Sequence, residues 1–377
     1  MALGTRVRLC LKDLYPQDIV EIIERETRRY EVEVIEHPDH PDFERAFRLL
    51  WGAFGAQGEM EPESAIRRFL LDDAFEPLAS GTFIRYFLMI ARDRHGNLRG
   101  VRDGSVIYNP SWAPDLCVVY LSHIYMLPEA RGTVLTYWLR IAPVELAVDY
   151  LAELQRRGLA SLPLPDQPGK YFGVNLDLTA EMEFFSPEDR LSLQRILFYG
   201  RGGFDVIDPR HFPYRQPDFR PPDVIEATGD RPVPFMLLLR RMGRERQARL
   251  PIDEARSIIH LLYDEFACFC SPALLQNSID VVQRRLDERL AAGKADVALL
   301  PLPTGHQNLQ RLRPLFRYDA YRRYYPGAPG TEDYLERVRQ RLAESPRWYD
   351  AEIAAIAADL AATPRYIYES RDKRGPA

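Results

Sequence analysis

The stretch IYMLPEARGTVLTYWL, residues 124–139, decides how the rest of the chain is read. Ile124–Leu127 is apolar, Pro128-Glu129-Ala130-Arg131-Gly132 is turn chemistry, and the residues after it are apolar and helix-compatible. The spacing predicts a buried strand, a tight turn, and a long helix that starts at Arg131-Gly132. A helix start presents free backbone N–H groups and the positive end of the helix dipole, so it is an anion site. Arg131 beside it makes a phosphate the natural guest.

Upstream, YEVEVIEH at residues 30–37 alternates apolar and acidic residues, the period of a strand. Phe43, Phe47, Leu50 and Phe54 recur at helical spacing, with Asp42 placed to cap the start. A short helix is expected at Glu63–Asp72. Phe83–Arg92 and Leu98–Tyr108 read as a hairpin turned at Arg94-His95-Gly96-Asn97, and Leu116–Leu127 as one longer strand. The helix from Gly132 to about Arg157 should kink or meet a boundary at Pro143.

Downstream, Tyr171–Leu178 reads as a strand. Ser186-Pro187-Glu188-Asp189 is a helix start, and Gly202-Gly203 the corresponding stop. Phe204–Asp208 and Val233–Arg241 are strands. From Pro251 the pattern turns helical, over Pro251–Phe266, Pro272–Ala292, Glu332–Glu344 and Trp348–Ala362, with an extra strand at Asp296–Leu302. This order predicts an α/β fold, a mixed and mainly antiparallel sheet flanked by helices. It divides into an arm at 1–29, a main domain at 30–245 and a mainly helical extension at 246–377.

Composition narrows the function classes. The chain has 377 residues, 46% hydrophobic and 28% charged, as in ordinary globular proteins. A net charge of -5 argues against a general nucleic-acid binder. The spacing of Cys10, Cys117, Cys268 and Cys270 fits neither a zinc site nor a disulfide framework, so no metal is expected and the thiols read as reduced. No apolar run reaches the roughly 18 residues of a membrane span. Arg and Lys interrupt the apolar N-terminal stretch, and a cytoplasmic location is expected. The loop His37-Pro38-Asp39-His40-Pro41-Asp42 reads as solvated turn residues, as does the basic cluster Arg240, Arg241 and Arg244. The run from Arg313 to Tyr325 interleaves basic and aromatic residues, a tail packing its rings on the core with Arg stems outward.

Residues 124–139 resemble the acyl-CoA binding segment of the GNAT N-acetyltransferase superfamily, which reads strand, V-x-P-E-x-R-G-x-G-x-G/A, helix. Val134 and Thr136 stand where the later family glycines would be. A second segment, ILFYGRGGFDVID at Ile196–Asp208, resembles the closing family segment in which a helix carries L-Y-x-x-x-G-F into a strand. The two together cover the family's element order over about residues 30–242.

The resemblance implies transfer of an acyl group, above all acetyl, from acyl-CoA to a small-molecule or peptide amine by direct attack. Backbone groups of Ile124 and Met126 would pair with the pantetheine arm. Arg131, Gly132, Thr133, Val134, Leu135 and Thr136 would hold the pyrophosphate, with the Thr133 and Thr136 hydroxyls as added donors. Tyr199 would protonate the leaving thiolate. His123 is the first candidate base and Glu183 the second, with Asn175, Asp177 and Glu181 beside the same strands. Strand parity sets His123 and Tyr125 on the face opposite Ile124 and Met126. Two other readings remain open: an acyl carrier protein as donor, and a non-catalytic binding module. The extension could cover the cleft, form a homodimer or recruit a partner.

Overall fold

The computed structural model describes residues 4–6, 28–55, 59–131, 134–163, 173–184, 192–220, 222–245, 247–304 and 311. The helix start at 186–189, the run 313–325, the helices expected at 332–344 and 348–362, Gly132 and Thr133 lie outside them.

One large sheet organises the described residues. Its strands in chain order are β1 (Gly4–Arg6), β2 (Tyr30–Ile35), β3 (Phe83–Asp93), β4 (Leu98–Tyr108), β5 (Leu116–Tyr120), β6 (Ile124–Met126), β7 (Asn175–Met182), β8 (Asp205–Ile207), β11 (Met236–Arg241), β12 (Arg249–Pro251) and β13 (Asp296–Pro301). The spatial order is β1-β2-β3-β4-β5-β7-β11-β8-β13-β12, with β6 also on β4. Every pairing is antiparallel except β5 with β7, which run parallel. β9 (Arg215–Gln216) and β10 (Val233–Pro234) form a separate small ladder. The expected strand at 233–241 is therefore two pieces.

Residue alternation sends the two sides of this sheet into different cores. Val106 and Tyr108 of β4 and Leu178, Ala180 and Met182 of β7 join Leu135, Leu139 and Leu151 of helix α3 (Val134–Arg156). On the other face, Ile107, Val118, Leu237 and Leu239 pack under α6 (Ile252–Phe266) and α7 (Pro272–Ala291). On that same face Val101 packs with Leu50 and Phe47 of α1 (Phe43–Phe54) and Ile66 of α2 (Glu63–Leu71). Two further helices are α4 (Ser192–Arg201) and α5 (Pro222–Thr228). Among the described residues, 247–304 join the same sheet: β13 pairs β8, and α6 packs on β4 and β5.

Several local expectations change. Of the two outcomes expected at Pro143, a kink or a boundary, the boundary is absent: α3 continues through it. Asp42 precedes α1 but makes no side-chain cap, because its carboxylate is taken by Arg92 of β3. Arg240 and Arg241 are buried, not solvated. Arg241 pairs with Glu254 at 3.0 Å and Arg244 with Asp177 at 2.6 Å, so these charges are neutralised by helix α6 and strand β7. His40 is also buried, accepting the Asp42 N–H at Nδ1.

Candidate functional site

The expected strand at 116–127 is broken, and the break builds the site. β5 pairs with β4 through Ser105 opposite Tyr120, whereas β6 pairs with β4 through Arg102 opposite Ile124. Leu121, Ser122 and His123 thus face only Asp103 and Gly104, a bulge that turns the chain away from β7. Gly104 makes room for it. A Cβ there would fall inside contact distance of the Tyr120 carbonyl oxygen and the Phe87 ring. The last link between the parallel strands is Leu121 N–H to Thr179 O at 2.8 Å. Beyond it β6 and β7 part.

Both edges of this gap carry inward-facing backbone groups. His123 O and Leu127 N–H bond to β4, at 3.1 and 3.0 Å, so the groups of Ile124 and Met126 turn the other way, toward β7. On β7, Thr179 O faces β5 while Leu176 O accepts Met242 N–H from the β11 side. The main chain of Glu181 therefore points into the gap from the opposite edge. The parity expected for residues 123–126 holds: Met126 lies in the α3-side core, with Ile124 packed against it, and Tyr125 packs with the α1 cluster.

The α3 side of the gap is cationic and aromatic. Tyr199 is buried edge-on between Phe198 and Phe204, with ring centroids 5.2 and 5.4 Å away. Burial raises its phenol pKa, partly offset by the positive charge of Arg102, so the hydroxyl keeps its proton at neutral pH. Arg102 is wholly buried; burial lowers its pKa to about 10, and its Nε and Nη1 have no partner among the described residues. Arg140 stacks 4.2 Å over the Phe198 ring and fills the space that a side chain at position 202 would take, a packing reason for Gly202. Gly203, at φ +81°, supplies the left-handed helix stop. Arg131 is exposed and donates from Nε to Met126 O at 3.1 Å. Val134 opens α3, Leu135 is core, and the buried Thr136 Oγ1 in the first turn has no partner among the described residues.

The opposite side is acidic. His123 donates from Nδ1 to Asp103 Oδ1 at 3.0 Å and from Nε2 to the Glu59 carbonyl at 2.8 Å. Both ring nitrogens face acceptors; burial lowers the pKa, but Asp103, Glu61 and the Glu59 carbonyl together raise it to about 9. His123 is thus held as an imidazolium that ties the loop after α1 to the bulge. Asp103 also receives the Tyr86 hydroxyl at 3.1 Å. Glu181 receives three donors: Tyr120 Oη at 2.8 Å, Gln216 Nε2 at 3.0 Å and Tyr214 Oη. Glu265, from α6, receives Ser105 Oγ.

Glu61 differs from its neighbours. It is buried and hydrogen-bonded only to its own backbone among the described residues. Burial, with Asp103 and Glu181 adding repulsion, pushes its pKa up to about 7. Glu183 lies at the rim, 30% exposed and paired with Arg195. Asp177 and Asn175 sit at the far end of β7, away from the gap, with Asp177 committed to Arg244.

Sequence reasoning brought forward His123, Glu181 and Tyr199 but not Glu61, Asp103, Gln216 or Glu265. A signal existed for Glu265: it falls on the apolar stripe of α6, beside Leu261, Leu262 and Phe266.

These raised values have a stability consequence. Glu61 moves from 4.5 to about 7 and His123 from 6.5 to about 9. Each group binds its proton more tightly in the folded state, so its contribution is complete below the unfolded pKa and is lost as pH rises through the folded one. Between pH 4.5 and 9 the site should progressively destabilise the ligand-free protein. Thermal melts of the wild type and of His123→Gln should converge as pH rises from 6.5 to 9.5; a constant separation would contradict the imidazolium.

Among the described residues, no group of three or more His, Cys, Asp and Glu is arranged to hold a metal ion. No described helix is long and apolar enough to cross a membrane. No protein-family model matches the sequence, and comparison with curated proteins finds no match. Among solved structures, the chain is similar to one assigned as an acyl-CoA N-acyltransferase from Klebsiella pneumoniae subsp. pneumoniae MGH 78578. That match has 14% identity and a TM-score of 0.24, covering 56% of this chain and 97% of that one. It is also similar to nourseothricin acetyltransferase, at 19% identity and a TM-score of 0.21, covering 42% of this chain and 65% of that one.

Proposed function

We propose that this chain is a GNAT-type N-acyltransferase that moves an acyl group from acyl-CoA to an amine by direct attack. The observation that carries the reading is the gap between β6 and β7, whose two edges carry inward-facing backbone groups, with Arg131 Nε held at one of them, Met126 O. An extended pantetheine arm fits such a gap as an added strand on Ile124 and Met126. The unpartnered Thr136 hydroxyl and exposed Arg131 at the start of α3 fit a pyrophosphate.

The residues divide the chemistry between the two faces. An alkylammonium near pKa 10 must shed a proton before it attacks. Glu61, with a pKa of about 7 and no competing side-chain donor, takes that proton. The amine nitrogen then bonds to the thioester carbonyl carbon, and the main-chain N–H of Glu181 meets the oxyanion that forms. As the C–S bond breaks, the electron pair leaves on sulfur. Tyr199 supplies its proton to that thiolate, and the second proton that the nitrogen sheds as the amide forms passes through solvent to the phenolate left behind. His123, already protonated, positions Asp103 and the Glu59 loop.

Calorimetric titration with acetyl-CoA, a long-chain acyl-CoA and free CoA tests the reading. Micromolar binding, weakened roughly tenfold or more by Arg131→Ala as expected for a charge-assisted phosphate contact, supports it. Absence of binding to all three overturns it. A preference for the long-chain donor would move the acyl group away from acetyl.

A further inference from the structure

We propose, resting on the acyltransferase reading above, that the acceptor is a small linear polyamine whose second ammonium sits among Glu265, Gln216 and Glu181 while its reacting nitrogen lies at the gap. Four carboxyl groups converge on this face: Glu61 from the loop after α1, Asp103 from β4, Glu181 from β7 and Glu265 from α6, while Glu59 of the same loop lies with Glu183, His123 and Arg195. His123 provides one positive charge, and Asp103 accounts for it. The phenols of Tyr86, Tyr120 and Tyr214 give hydrogen bonds to carboxylates but no charge.

A second, independent observation lies in the hydrogen-bond ledger. Gln216 is 3% exposed; its amide nitrogen is spent on Glu181, and its Oε1 has no partner among the described residues. Glu265 is 4% exposed, and its Oε2 is equally unpartnered. Thr179 Oγ1, on the same face of β7 as Glu181, is unpartnered as well. Gln216 Oε1 can only accept, Glu265 Oε2 can only accept once its carboxyl is ionised, and Thr179 Oγ1 can accept. A buried acceptor left unfilled is costly, so the guest they suit is rich in donors and has no acceptor of its own, as an ammonium is.

One charge does not suffice. Burial raises the pKa values of Glu61, Glu181 and Glu265, and repulsion from neighbouring carboxylates adds to it at Glu61 and Glu265. Three carboxyls on one face outnumber the single charge that a monoamine would bring, since the His123 charge is matched by Asp103. Glu61 serves the reacting nitrogen, whereas Glu265 and Gln216 belong to α6 and β9 on other elements of the same face. Positive charges separated along a flexible chain meet that arrangement. Glu181 is the member that reaches solvent and marks the entrance.

The test is calorimetry without any acyl donor, using 1,4-diaminobutane, 1-aminobutane and magnesium or calcium chloride. The diamine is expected to bind at least tenfold more tightly than the monoamine. Runs in two buffers of different ionisation enthalpy should show protons released on diamine binding, because the incoming charge ionises carboxyls that were protonated. This readout uses the unaltered protein. Glu265→Gln should cost the diamine tenfold or more and leave the monoamine nearly unchanged.

Equal affinity for the two amines, binding of the metal ions in place of the diamine, or no proton release overturns the proposal. A protein that binds acyl-CoA but discriminates no diamine keeps the acyltransferase reading and loses this one. A protein that selects the diamine but binds no CoA keeps the polyamine site and loses the transfer reaction.

Discussion

Glu61→Gln is expected to lower kcat/KM by about 10²-fold or more, the usual weight of a positioned general base. The pH profile is the sharper readout. In the wild type, activity should fall below an apparent pKa near 7, because the Glu61 carboxyl is then protonated and cannot accept the amine proton. In the variant that limb should vanish, leaving a rate governed by the free-amine fraction of the acceptor. Gln has nearly the same shape as Glu, and Glu61 makes no side-chain hydrogen bond to another described residue, so the fold should persist. Retention of both the rate and the limb at pH 7 would remove Glu61 from the mechanism and turn attention to Glu59.

Gly104→Ala should be the most damaging single methyl in the sheet. The added carbon would meet the Tyr120 carbonyl oxygen, which is backbone and cannot swing aside. Overpacking of this kind costs about 1–3 kcal/mol, and φ +155° adds strain for any side chain. Chemical denaturation should show a midpoint lowered accordingly with an unchanged slope. Gly52→Ala is the control. It sits in helix α1 with nothing within 4 Å of the new carbon, and should stabilise by about 0.5–1 kcal/mol. Loss at 104 no greater than at 52 would mean that the bulge can relax around a side chain.

Much of the architecture was legible because it rests on local pattern. The hairpin 83–108, the strand–turn–helix around 124–139 and the glycine stop after Tyr199 each follow from the spacing of a few neighbours. The break at 121–123 was not legible, since its cause is a glycine on another strand, and no periodicity within LCVVYLSHIYM reports what lies opposite. The solvated reading of Arg240, Arg241 and Arg244 failed for a similar reason: their counter-charges, Glu254 and Asp177, are supplied by other elements. His123 was visible as a lone strand histidine, but its protonation is decided by Asp103, twenty residues away, with Glu61 and the Glu59 carbonyl. Glu61, Asp103, Glu181 and Glu265 come from four separate segments, so the acidic face exists only in three dimensions.

The two sides of the sheet have unlike chemistry, and the gap between β6 and β7 opens between them. On the proposed reading, one substrate arrives over the arginine and tyrosine side and the other over the carboxylate side. Neither stands in the doorway of the other. Steric grounds then impose no compulsory order of addition, and initial-rate patterns should intersect whichever substrate is varied. The same separation lets acceptor selectivity drift by substitutions around α6 and β9 while the handling of the donor is preserved, an arrangement that favours the emergence of new specificities without rebuilding the reaction.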